Sequence, residues 1–168
     1  MIKNINFLFV TFFGIGTIRY APGTIASLIT TTFLFNLFHV INLSSIIILI
    51  VLLSIFFYSF YAVAKYIKYE SNKDPKEVVI DEVIGQSIPI YLYEIAHGVT
   101  KDFHESILFY LYIFILFRFF DIKKPFPVNY FDKNYKNSFG VIFDDVVAGF
   151  YVVITLIIFM IFKSKLFS

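Results

Sequence analysis

Paired carboxylates occur twice at the edge of apolar sequence. Asp81-Glu82 lies between Val78-Val79-Ile80 and Val83-Ile84-Gly85, and Asp144-Asp145 lies between Val141-Ile142-Phe143 and Val146-Val147-Ala148-Gly149. Two neighbouring anions carried toward a low-dielectric region are costly unless a cation pairs with them, so a bound metal or a basic cluster is expected. A third stretch, Phe117-Arg118-Phe119-Phe120-Asp121-Ile122-Lys123-Lys124-Pro125-Phe126-Pro127, supplies a further acid and two cations. Arg118 and Asp121 share a helix face at this spacing, which an ordinary intrahelical pair would also explain. Pro125 and Pro127 end the helix and stiffen the loop beyond it, holding Lys124 near the carboxylates. Asp81, Glu82, Asp121, Asp144 and Asp145 are hard oxygen ligands, and with no Cys and few His they select magnesium or manganese over zinc. Arginine and lysine beside such an ion suit a phosphate. The expected chemistry is phosphoryl transfer to water, with one carboxylate free to take the proton.

Other candidates carry plainer readings beside the functional one. Gly14-Ile15-Gly16 and Ala21-Pro22-Gly23-Thr24 form a turn in which Thr24 is expected to cap the following helix, and exposed N–H groups at Gly23 and Thr24 offer an anion site. A helix start needs no ligand, however. Asp81 and Glu82 are equally well placed as first-turn charges favoured by the helix dipole. Glu94 and His97 have the i, i+3 spacing of carboxylate-bridged metal bundles, but no second copy exists, so a helix-end histidine satisfied by Glu94 is expected. His39 and His104 are expected to be ordinary loop or interface residues.

The elements that position these groups are membrane helices. A mean hydropathy of +0.81 and a charged fraction of 15% put the chain well outside ordinary soluble domains. Apolar runs extend over about 5–18, 25–41, 43–64, 83–96, 107–120 and 146–162. Only the third and sixth approach or exceed the roughly 20 residues of an ideal span, and the first is able to lie in the interface instead. The runs are continuous rather than alternating, which favours helices over a barrel. The expected fold is all-α: one compact domain over residues 1–168 with about five or six short hydrophobic helices. The first run is expected to stay in the mature chain, because Arg19-Tyr20-Ala21-Pro22-Gly23 resembles no cleavage site.

Loop charge orients the chain. Residues 65–76 carry four lysines and residues 118–136 carry one arginine and four lysines, so both are expected on the cytoplasmic side. The turns near Asn42 and Lys101–His104 then fall opposite. Arg19 to Thr24, Glu70 to Glu82 and Arg118 to Asp145 gather on the cytoplasmic face. Arginine is used only at Arg19 and Arg118 against twelve lysines, so Arg19 is a candidate third cation of the site. The absence of cysteine excludes thiolate nucleophiles, thiolate-held zinc, iron–sulfur clusters and disulfides. No basic stripe with interleaved aromatics indicates nucleic acid, and no obligate protein partner is implied.

Taken in order, Ala21-Pro22-Gly23-Thr24 with Ser27, Asp81-Glu82-Val83-Ile84-Gly85, the Phe117 to Pro127 stretch, and Gly140 with Asp144-Asp145 and Ala148-Gly149 resemble the phosphatidylglycerophosphatase A family. The matching pieces run from about residue 14 to 150. The resemblance implies a helical, magnesium-dependent enzyme of the bacterial inner membrane that removes the terminal phosphate of phosphatidylglycerophosphate. On this reading Asp81, Glu82, Asp144 and Asp145 are metal ligands or the general base, with Asp121 a further ligand or the base. Arg118, Lys124, Gly23 and Thr24 would bind phosphate, and water would attack directly. Ile25 and Ala26 depart from a usual tryptophan and glycine, Asn137 and Ser138 from a Gly-Gly, and Arg19 from a frequent proline. The alternative from another class is a small helical membrane protein whose acids line a cation path, although carboxylates gathered at one end suit surface chemistry better.

Overall fold

The computed structural model describes residues 2–68, 76–97, 103–135 and 137–166, with backbone alone for 2–4, 132, 133, 163, 164 and 166. Seven α-helices and no strand occur among the described residues. They are α1 (Ile2–Val10), α2 (Pro22–Phe35), α3 (Ser45–Ile67), α4 (Ile80–His97), α5 (Phe103–Lys123), α6 (Val128–Asn134) and α7 (Ser138–Leu166). After α1 the chain reverses through left-handed Phe12, Phe13 and Gly14 into a 3-10 turn, Ile15–Thr17. Pro22 opens α2 at a position where its missing N–H costs nothing, and Asn36–Val40 extends that helix as a π-helical turn.

Among the described residues, three helices are long and apolar enough to cross a membrane: Pro22–Val40, Ser45–Ile67 and Ser138–Phe162. The apolar run of the first, 25–41, is shorter than an ideal span, although a short run can still cross. Pro22 to Thr24 lengthen the helix ahead of the apolar run, and the π-helical turn carries it on to Val40. It also carries buried Ser27, Thr30 and Thr31, whose hydroxyls donate to the carbonyls of Gly23, Ala26 and Ser27 at 2.8–2.9 Å. A hydroxyl bonded to its own helix is tolerated in apolar surroundings. On α3 and α7 large apolar side chains such as Ile46, Ile50, Phe57, Ile157 and Phe162 face outward, as lipid contact requires.

Helix α4 is the hub, packed against α7, α2, α3 and α5. Its crossing with α7 is set by glycine. A Cβ on Gly149 would lie 2.5 Å from the Gly85 carbonyl oxygen, and one on Gly85 would lie 2.6 Å from the Asp145 oxygen and 2.8 Å from the Phe117 ring. Only glycine permits this approach. Because Asp81 precedes Gly85 by four residues, and Asp145 precedes Gly149 by four, the same crossing carries the two acidic segments to one level.

Three local expectations change. Asp144 and Asp145 lie well inside α7 and not at its start, because Ser138 to Phe143 is itself helical, with Ile142 fully buried. Thr24 does not cap α2, since Ala21 holds that position and the helix begins at Pro22. The segment after Pro127, expected as stiff loop, includes the short helix α6. Glu70 and Lys73 of the first basic segment, Lys101 of the opposite turn and Lys136 of the second lie outside the described residues.

Candidate metal and phosphate site

Asp81 and Glu82 occupy the first turn of α4, and Asp145 projects from α7 beside them. One carboxylate oxygen from each lies within 4.8 Å of the other two. Glu82 reaches across to the start of α2, where a Cβ on Gly23 would sit 1.9 Å from its Oε1. Gly23 is therefore the residue that leaves room for this carboxylate. Thr24 follows on the same turn, half-buried. Asp81 Oδ1 and Glu82 Oε2 are buried with no hydrogen-bond partner, a costly arrangement for an acceptor shielded from water.

The other two acids are each held by a cation. Arg118 Nη1 pairs with Asp121 Oδ2 at 2.7 Å and donates to Ser27 Oγ at 3.4 Å. Its Nε is buried without a partner, so the guanidinium keeps donor capacity. Lys124 follows the last residue of α5 in the left-handed region, with φ of 43°, and its N–H donates to the Phe120 carbonyl at 2.9 Å. That helix-ending geometry directs its ammonium to Asp144 Oδ2 at 2.8 Å. Asp144 Oδ1 accepts from the Asp145 N–H at 3.0 Å.

Electrostatics show that the acids share one environment. Burial pushes the Asp81 carboxyl well above the ordinary carboxylate range, and the charges of Glu82, Asp144 and Asp121 push it further. Glu82 is raised as well, by burial first; its hydrogen bond to Asp81 and the Arg118 charge pull it down, and the Asp121 charge pushes it up. Fully ionised, the five acids would carry more negative charge than the two cations neutralise. Arg118, Lys124, Gly23 and all five acids come together, as their sequence grouping suggests.

Gln86 has no place in the expected set. It is fully buried one turn beyond Glu82, with neither amide atom hydrogen-bonded. A lone amide in an apolar run, four residues from a paired acid, was the available signal. The expected Glu94–His97 contact does not form: Glu94 Oε1 instead meets His39 Nε2 at 3.0 Å, and His97 contacts the Tyr93 carbonyl and Met160 Sδ. The π-helical turn ending α2 brings His39 across to α4, which no local spacing reveals. This buried pair lies near the C-terminal end of α4, away from the acids.

The sequence profile of phosphatidylglycerophosphatase A matches residues 8–160. The chain belongs to the phosphatidylglycerophosphatase A family. Among curated relatives, the phosphatidylglycerophosphatase A of Haemophilus influenzae is 61% identical over 41 residues, covering 24% of this chain and 25% of that protein. The Escherichia coli protein of the same name is 44% identical over 36 residues, 21% of each chain. These two alignments thus span a quarter or less of those relatives' length. A putative phosphatidylinositol-3-phosphatase of Bacteroides thetaiotaomicron is 31% identical over 143 residues, 84% of each chain. No solved structure matches significantly. With its apolar helices, this family member is a membrane protein.

Proposed function

We propose that this chain hydrolyses the terminal phosphate monoester of phosphatidylglycerophosphate with magnesium, giving phosphatidylglycerol and inorganic phosphate at the cytoplasmic face of a bacterial inner membrane. The observation that carries the reading is the cluster of half-buried Asp81 and Glu82 with buried Asp145, in which two carboxylate oxygens are shielded and unpartnered, in a chain of this family. An all-oxygen donor set of three carboxylates fits a hard divalent cation and leaves zinc without its usual ligands. Asp81, Glu82 and Asp145 would hold magnesium, with Asp121 and Asp144 at its border. When bound, magnesium supplies charge neutralisation at the phosphoryl oxygens and a more acidic water.

The chain's own groups supply the rest. Arg118, oriented by Asp121 and Ser27, turns its remaining donors to the phosphate, and Lys124, held by Asp144, adds a second positive charge. Water attacks phosphorus, the bond to the glycerol oxygen breaks, and a carboxylate of the cluster takes the water proton. That proton then passes to the departing glycerol oxygen, leaving free phosphate. Acyl chains stay in the bilayer while the headgroup reaches the acids. The orientation rests on lysine-rich segments at this end of the helices, including Lys65, Lys76 and Lys124.

The Bacteroides relative's name favours a second reading, in which the monoester belongs to a phosphorylated inositol lipid. Phosphate release by the purified protein in magnesium-containing micelles separates the two. The proposal expects higher kcat/KM on phosphatidylglycerophosphate than on phosphatidylinositol 3-phosphate. The reverse order assigns the inositol substrate, and turnover of neither removes the phosphatase reading.

A further inference from the structure

A cleft of about 440 Å³ opens beside the carboxylate cluster, between the turn after α1, the end of α3 and the segment entering α4. Arg19 and Lys76 both line it, with Thr17 as a further polar group and Glu77 as the one acid among the described residues. The two cations face one space for a structural reason. Gly16 presses against the backbone of Glu77, where a Cβ would lie 1.9 Å from the carbonyl oxygen, so the loop carrying Arg19 is locked onto the segment carrying Lys76. Thr17 Oγ1 donates to the Gly14 carbonyl at 2.7 Å and fixes the turn preceding Arg19. Arg19 rests over the Tyr20 ring at 5.7 Å, and neither cation forms an ion pair among the described residues. Among the described residues, two cations against one carboxylate make the cleft an anion site.

Its place relative to the acids identifies the anion. Pro22 lines the cleft, and the next residue, Gly23, touches Glu82. The two sites therefore share the first turn of α2 as a common wall. Phe7 and Tyr66 give the cleft an apolar side, their rings 6.2 Å apart.

We propose that this cleft is a second phosphate subsite, which takes the phosphodiester joining the headgroup to the diacylglycerol of the same lipid. The inference rests on the phosphatase reading above. With the monoester at the carboxylates, a short polyol bridge places the diester beyond Pro22, against Arg19 and Lys76, and the start of the acyl chains against Phe7 and Tyr66. A lipid with a monoester alone, such as phosphatidate, leaves the subsite unused, so Arg19 and Lys76 act in specificity.

The test compares wild type with the Arg19→Ala, Lys76→Ala double variant in neutral detergent micelles free of other anionic lipid. KM for phosphatidylglycerophosphate should rise about tenfold or more with kcat within about twofold, as loss of charge-assisted contacts outside the reacting centre predicts. Phosphatidate turnover and the thermal midpoint should stay unchanged, and Arg19→Lys should retain most of the affinity. Equal loss on both lipids, or on neither, overturns the subsite while leaving the phosphatase reading intact. A KM effect that appears only when phosphatidylglycerol is added assigns the cleft to bulk lipid and also overturns it. Wild type that releases no phosphate from phosphatidylglycerophosphate removes the phosphatase reading and the subsite with it.

Discussion

Charge crowding in the cluster sets a measurable stability cost. With carboxylate oxygens of Asp81, Glu82 and Asp145 within 4.8 Å of one another, each ionised pair repels by about 3.5 kcal/mol or more at an effective dielectric of about 20. Three such pairs approach about 10 kcal/mol, comparable to the whole stability of a typical domain. The metal-free protein avoids this by keeping protons on the cluster, in agreement with the raised Asp81 and Glu82 carboxyls. The sign follows directly: the folded state binds more protons than the unfolded one, so metal-free stability falls as pH rises above about 4 toward those raised values. Magnesium at about a hundred times its Kd adds about 2.7 kcal/mol. For a chain of this size that raises the midpoint by about 5–10 °C. Melting followed by circular dichroism in detergent, with magnesium or with a chelator, should show this gain near pH 8 and a smaller one near pH 5. Asp81→Asn should melt a few degrees above wild type in chelator and lose most of the magnesium gain. A midpoint indifferent to magnesium at both pH values, or an Asp81→Asn variant with the full gain, would refute the reasoning.

Three further substitutions separate site from scaffold. Gly23→Ala puts a Cβ where Glu82 Oε1 now lies; that carboxylate is flexible enough to swing away, so kcat should fall about tenfold or more while the thermal midpoint changes little. Gly149→Ala instead meets the rigid Gly85 carbonyl, so melting and phosphate release should both deteriorate. His39→Leu leaves Glu94 buried without its partner and should cost about 3 kcal/mol in chemical denaturation, with phosphate release per folded molecule unchanged because the pair lies away from the acids.

Features written into contiguous sequence were legible from the residues alone. Continuous apolar runs announced helices, Asp81-Glu82 announced a first turn, and the spacing of Arg118 and Asp121 announced their ion pair, found at 2.7 Å. Proline after Lys124 correctly foretold an anchored lysine, now seen on Asp144. Features that depend on how helices cross were not legible. The Gly85–Gly149 approach, which brings Asp145 level with Asp81, is a property of two surfaces meeting. Glu94 chose His39 over His97 because a π-helical turn, invisible in periodicity, redirects the end of α2. The position of Asp144-Asp145 inside α7 was concealed because the apolar run begins only at Val146, whereas the helix begins at Ser138. Gln86 was hidden by its setting, a single amide among apolar neighbours whose lack of partners only the packed bundle reveals.

The central claim is that these carboxylates hold a metal that works on a lipid phosphate. Phosphate release from phosphatidylglycerophosphate by purified wild type and Asp145→Asn, each with magnesium and with chelator, tests it most directly. Wild type should turn over only with magnesium, and Asp145→Asn should lose about a hundredfold or more in kcat while remaining folded by circular dichroism. Turnover undiminished by chelator, or an Asp145→Asn variant as active as wild type, would contradict the account.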